Sequence, residues 1–146
     1  MMKLSIIIPT YNEAENIKEL ISEIGKVCKK DMLSYNIIIV DDNSPDNTSK
    51  IVKDVMQEDK HVTLIEREGK MGLGTAYIKG IKYSLNNLHP DLIMTMDADF
   101  SHNPKYIPDF VNKIKYGFDV VLGSRYVQGG GIGKWGIHRT IISKGA

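Results

Sequence analysis

The stretch "LIMTMDADFSHNP" (residues 92–104) decides how this chain is read. An apolar run of strand length ends in Asp97-Ala98-Asp99, two carboxylates one residue apart. Residues i and i+2 of an extended segment point to the same side, so both carboxylates project together. Two like charges that close repel, and one is driven towards protonation unless a cation neutralises them. Hard divalent ions such as Mg2+ are held by one or two carboxylates together with substrate phosphate oxygens. The pair therefore reads as a grip for a metal that in turn grips a diphosphate. Capping of the following helix is the competing reading.

Outward from this stretch, short β-branched runs alternate with segments of helical period. "KLSIIIP" (3–9), "YNIIIVDD" (35–42), "HVTLIER" (61–67), "DLIMTMD" (91–97) and "FDVVLGS" (118–124) read as five strands. Between the first two lies an apolar face of Ile17, Leu20, Ile21, Ile24, Val27 and Cys28, with Asn12 and Glu15 as a capping box at its start. Ser44 caps a second helix that has Pro45 in its first turn and turns Ile51, Val52, Val55 and Met56 inward. "GLGTAYIKGIKYSLNN" (72–87) and "PKYIPDFVNKIK" (104–115) supply two more. Apolar strands joined by helices imply a parallel sheet covered on both faces. The expected fold is α/β: a single domain with a Rossmann-like, open and mostly parallel sheet.

Length and charge bound the rest. At 146 residues, one domain can bury roughly two-thirds of the surface its unfolded chain exposes. The net charge of +1 gives no reason to expect a nucleic-acid partner. Fifteen of the 19 basic residues stand against all 18 acids in residues 1–119, a net −3. The other four, Arg125, Lys134, Arg139 and Lys144, stand alone in residues 120–146, a net +4 suited to meeting an anion. The single cysteine, Cys28, excludes an internal disulfide, fits a reducing compartment and reads as core. No apolar run approaches the ~20 residues of a spanning helix, so membrane contact is expected to be peripheral, on the cytoplasmic face, or to come from residues beyond Ala146. Beyond Ser124 come a glycine-rich stretch, "VQGGGIGKWG" (127–136), and the start of another helix. The pattern looks C-terminally incomplete, with a core over about 1–124 and a glycine-rich loop and acceptor-side helix start over 125–146.

Ligands of open parallel sheets bind at the carboxyl ends of the strands. Those ends carry Pro9-Thr10-Tyr11-Asn12-Glu13, Asp41-Asp42-Asn43-Ser44, Lys70-Met71-Gly72-Leu73-Gly74, Asp97-Ala98-Asp99 and Gly123-Ser124-Arg125-Tyr126. Asp41 to Ser44 can also be read as turn chemistry, and Gly72 with Gly74 as a tight helix entry short of a full phosphate-loop spacing.

Five ordered motifs, "IIIPTYNEAENI", "IIIVDDNSPDNT", "GLGTAY", "MDADFSHNP" and "GSRY", resemble the family 2 glycosyltransferases, and within them the dolichol-phosphate mannose synthase branch. The resemblance covers essentially the whole chain. It implies the GT-A nucleotide-sugar fold and an inverting transfer of mannose from GDP-mannose to a polyprenyl (dolichyl) phosphate. It further implies that Pro9, Tyr11, Glu13, Asp41 and Asp42 line the nucleotide pocket, with Lys70, Gly72 and Ala98 beside the donor. Asp97 and Asp99 match the family's metal motif for Mg2+ or Mn2+. Ser101 is a further metal candidate where many relatives carry glutamine. Arg125, Arg139 and Lys144 match positions that meet the diphosphate or the acceptor phosphate, and Arg125 joins Asp97 and Asp99 as catalytic.

An acceptor phosphate agrees with the charge pattern. Its second pKa lies near ~6, so it is already nucleophilic at neutral pH and needs cations rather than a base. Of the acids that follow the Asp-x-Asp, Asp109 falls inside a helix and Asp119 at a strand start. Sibling reactions using UDP-glucose or UDP-N-acetylglucosamine, and a non-catalytic nucleotide-sugar-binding fragment, are the alternatives. A phospho-receiver domain would share Asp41, Asp42, Asp97, Ser124 and Lys144, but it would begin with its acidic strand, and here a complete strand–helix unit precedes Asp41.

Overall fold

Isoleucine runs set the sheet. Ile6, Ile7 and Ile8 and then Ile37, Ile38 and Ile39 are completely buried, because consecutive side chains go to opposite faces and both faces are covered. The computed structural model describes residues 2–124, so the expectations for Arg125, Arg139, Lys144 and the glycine-rich stretch lie outside the described residues. Strands β1 (Lys3–Thr10), β2 (Ser34–Asp41), β3 (Val62–Glu66) and β4 (Leu92–Thr95) alternate with helices α1 (Ile17–Lys30), α2 (Thr48–Glu58) and α3 (Leu73–Asn87). A single 3-10 turn, Pro104–Tyr106, then leads into α4 (Ile107–Lys115).

All strand pairs are parallel, in the order β3-β2-β1-β4. One face packs Leu4, Ile6, Ile8, Ile37 and Ile39 against α1 residues such as Ile17, Leu20 and Ile24, with Val52, Ile107 and Val111. Cys28 sits in this cluster, fully buried, with burial pushing its thiol up to about 12. The other face packs Ile7, Ile38 and Val40 against Ala76 of α3. On that side α3 approaches closely at Gly80, where a Cβ would strike the buried methyl groups of Ile7 and Val40.

Strand order reverses between β1 and β4, which marks the crevice where such sheets bind ligands. The two strands pair only from Leu4–Leu92 to Ile7–Thr95. Met96 still donates its N–H to the Ile7 carbonyl, and ladder groups facing one neighbour recur every second residue. The next group of β1 to face β4 therefore belongs to Pro9, which has no N–H to give. The strands part there.

Three expectations are corrected. The run 118–124 forms no strand: Val120 and Leu122 are 73% and 84% exposed, and β propensity without a neighbouring ladder does not make a strand. It belongs to the second of two compact units, Asn112–Ala146, whereas Met1–Val111 carries the whole sheet. Asn12 does not cap α1. It adopts a left-handed φ of 60°, and the helix begins at Ile17 after a turn closed on the Glu13 carbonyl. Ser44 does not cap α2, which starts at Thr48 behind Asn47, because the Ser44 hydroxyl is committed to Asp41.

Gly80→Ala tests the close approach of α3. Alanine is the better helix former by up to about 1 kcal/mol, yet overpacking at this contact is expected to win and to destabilise the fold by about 1–3 kcal/mol in urea unfolding.

Candidate functional site

The site grows from Asp41 at the end of β2. Its carboxylate is 0% exposed and accepts four hydrogen bonds: from Thr10 Oγ1 (2.7 Å), Ser44 N (2.9 Å), Ser44 Oγ (2.6 Å) and Ser49 Oγ (2.7 Å). A buried charge is tolerated only when it is satisfied in this way. The arrangement ties the end of β1 and the start of α2 to β2. Asp41, expected to line the nucleotide pocket, thus acts in this structure as an organiser of the two loops above it.

Those loops are stitched together residue by residue. Three successive N–H groups after β1, of Asn12, Glu13 and Ala14, donate to Ser44 Oγ, Thr48 Oγ1 and Asp46 Oδ2, each at 3.0 Å. Burial raises the Asp46 carboxyl, but hydrogen bonds from Thr48 and Ala14 outweigh it and hold the group below the usual carboxylate range. Glu13 is half-buried, with Oε2 taking a hydrogen bond from Asn16 Nδ2. The stitching presents Tyr11, 39% exposed, beside Lys70 from the loop after β3, whose Nζ lies 4.4 Å from the ring centroid. A cation over an aromatic face is an attractive contact, so the first and third loops meet over the second.

Asp42 is held by a residue that sequence reading missed. Arg67 follows β3 and grips the Asp42 carboxylate with Nε at 2.5 Å and Nη2 at 2.6 Å, both side chains being under 9% exposed. Its other donors reach Thr75 Oγ1 (2.6 Å) and the Gly72 carbonyl (3.2 Å), while Met71 N donates to Asp42 at 3.3 Å. Gly72 itself has φ +94°, a conformation glycine adopts without strain as it opens α3. Only the position of Arg67 at a strand end hinted at this role. Its partner is 25 residues away in sequence, on a different strand end.

On the far side of the crevice, β4 stops at Thr95, two residues earlier than expected, but its alternation persists. Met96 and Ala98 are buried, Asp97 is half-buried and Asp99 is exposed, so the two acids emerge on the solvent side. Phe100, at φ 60°, ends the segment. Asp97 accepts the Tyr77 hydroxyl on Oδ1 at 2.8 Å, and its N–H donates to His102 Nδ1 at 3.1 Å. Burial and then the Asp97 hydrogen bond push the Tyr77 phenol well above its ordinary value, so it stays a donor. Ser101 turns towards Asp99, its N–H donating to Oδ1 at 2.9 Å. Its hydrogen bonds hold the Asp99 carboxyl below the usual range, against the opposing pull of burial.

Among the described residues no three His, Cys, Asp or Glu side chains form a ready-made metal cage. Each acid has one oxygen engaged by a protein donor, on Asp97 by Tyr77 and on Asp99 by Ser101. Two carboxylates of this kind fit a hard dication that completes its shell with phosphate and water.

Residues 5–145 match the family described as Glycosyl transferase family 2. The chain belongs to glycosyl transferase family 2. It is 43% identical over 145 residues to a dolichol-phosphate mannosyltransferase from Pyrococcus furiosus, covering 99% of this chain and 39% of that protein. It is 35% identical over 142 residues to a polyprenol monophosphomannose synthase from Mycolicibacterium smegmatis, covering 97% of this chain and 52% of that one. The chain thus spans about half or less of the length of these family 2 relatives. A solved mannosyltransferase from Pyrobaculum calidifontis, in complex with GDP-Man and Mn2+, superposes with a TM-score of 0.52 at 25% identity, covering 66% of this chain and 27% of that one. The family accounts for the parallel α/β sheet.

Arg67→Ala would leave Asp42 buried without its cation. The expected loss is about 3–5 kcal/mol of stability in urea unfolding. Adding Asp42→Asn to that variant is expected to restore a large part of the loss.

Proposed function

We propose that this chain carries the donor-binding half of an inverting mannosyltransferase, which moves mannose from GDP-mannose to a polyprenyl phosphate. The observation that carries the proposal is the outward pair Asp97 and Asp99 at the end of β4, beside the point where the β1–β4 pairing ends at Ile7–Thr95. The mannosyltransferase names of the two sequence relatives, and the GDP-Man and Mn2+ bound by the structural neighbour, support the same reading.

In this reading the free oxygens of Asp97 and Asp99 hold Mg2+ or Mn2+. Bound there, a dication offsets negative charge on the departing nucleoside diphosphate. Tyr11 and Lys70 present an aromatic face and a cation to the donor from the loops after β1 and β3. Asp41 and Asp42 contribute by fixing those loops, and Glu13 by the turn that starts α1. Ala98, buried between the two acids, leaves both of them on the solvent side. Ser101 keeps Asp99 ionised and pointed.

The acceptor phosphate is already nucleophilic near neutral pH. What it needs is relief from repulsion by the donor's diphosphate, and arginine supplies that through paired hydrogen bonds. Arg125, Arg139 and Lys144, in a segment without acids, are the proposed cations. No helix among the described residues is long and apolar enough to cross a membrane. The proposed contact with the lipid surface is peripheral, on the cytoplasmic side.

Calorimetric titration separates the donors. GDP-mannose is expected to bind in the presence of Mn2+, at least tenfold more tightly than UDP-glucose or UDP-N-acetylglucosamine, corresponding to about 1.4 kcal/mol. Asp99→Ala is expected to abolish the Mn2+-dependent part of that affinity. Stronger binding of a uridine donor, or undiminished Mn2+ dependence in the variant, would overturn the assignment.

A further inference from the structure

We propose that Tyr77 is a positioning residue for the cation site: its hydroxyl holds one oxygen of Asp97 so that the other is turned out for a divalent ion. The proposal rests on the metal reading given above and goes beyond it, because Tyr77 is not one of the acids.

Three observations on separate parts of the fold converge on this hydroxyl. First, the hydrogen bond is direct, from Tyr77 to Asp97 Oδ1 at 2.8 Å, and joins residues 20 positions apart. Second, the ring is anchored. Tyr77 packs against the cluster formed by Ile7, Ile38, Val40 and Ala76, so the hydroxyl is delivered by a body that cannot swing freely. Third, the height of α3 on the sheet is fixed one turn further on, where Gly80 admits the methyl groups of Ile7 and Val40. The rise of a helix is 1.5 Å per residue, so this contact also sets where Tyr77 meets the end of β4.

Asp97 is then constrained from three directions. Its N–H is held by His102 Nδ1, its Oδ1 by Tyr77, and its backbone by the buried neighbours Met96 and Ala98. The Oδ2 atom lies 3.9 Å from His102 Nε2, beyond hydrogen-bond distance, and stays available to a cation. A carboxylate free to rotate would pay orientational entropy on binding an ion, and a donor on its other oxygen removes that cost. Partners of this kind influence metal affinity by about 10–100-fold. The same helix begins at Gly72, which Arg67 ties to Asp42. α3 thereby links the acids at the end of β4 to the loops at the ends of β2 and β3.

The test is a Mn2+ titration of the chain without nucleotide, read by water-proton relaxation enhancement, on Tyr77→Phe and Tyr83→Phe. Tyr83 lies on the same helix and packs into the same cluster, so its variant controls for α3 packing. The expected result is a fall in Mn2+ affinity of about tenfold or more for Tyr77→Phe, with Tyr83→Phe at the original affinity and both variants folded in the absence of metal. Equal Mn2+ affinity in Tyr77→Phe and the original chain would overturn the role of Tyr77 and leave the metal reading standing. An equal loss in both variants would trace the effect to packing and also overturn it. Absence of Mn2+ binding by the original chain would bring down the metal reading and this inference together.

Discussion

A single buried carboxylate anchors the upper edge of this molecule. Asp41 sits at the end of a strand with no exposure, and four donors from three segments close around it. Ionised and unpaired, it would oppose folding, so it exacts a strict local geometry from Thr10, Ser44 and Ser49. That geometry sets the loop after β2, whose side chains in turn capture the backbone of the loop after β1. The position of Tyr11 is therefore a remote outcome of satisfying Asp41.

Arg67 repeats the device one strand further along. It neutralises Asp42 and, through Thr75 and Gly72, pins the entrance of α3. In both cases acids at the strand ends organise the protein before any ligand arrives. Asp97 and Asp99 differ because they emerge beside the gap rather than under a loop, with oxygens to spare. A sheet edge rich in acids thus divides into a buried, fully partnered pair on one side of the switch point and an outward-facing pair on the other.

Most of the frame could be read from residues alone, because isoleucine runs, helix periods and the Asp-x-Asp act through neighbours in sequence. Four strands and four helices follow from those patterns, as does the placement of both acids on the open side of β4. The rest depends on contacts between residues distant in sequence or on burial that composition does not reveal. Ser44 has the chemistry of a helix cap, but Asp41 is nearer in space. Asn12 was read as a cap and instead takes a left-handed turn within the stitched loops. Arg67 looked like the end of a strand, since nothing in "HVTLIER" names a carboxylate 25 residues earlier. The run 118–124 has strand composition but exposed valine and leucine side chains, so composition alone overcalled it.

Pro9 leaves one feature of the molecule beyond the reach of thermal motion. A tertiary amide has no proton to offer, so β1 presents no N–H to β4 at Pro9 however the loops above them breathe. That missing donor is a covalent property of the chain, whereas the loops around it are held by hydrogen bonds and ion pairs. Exchanging the surrounding loops would leave that gap in the ladder in place.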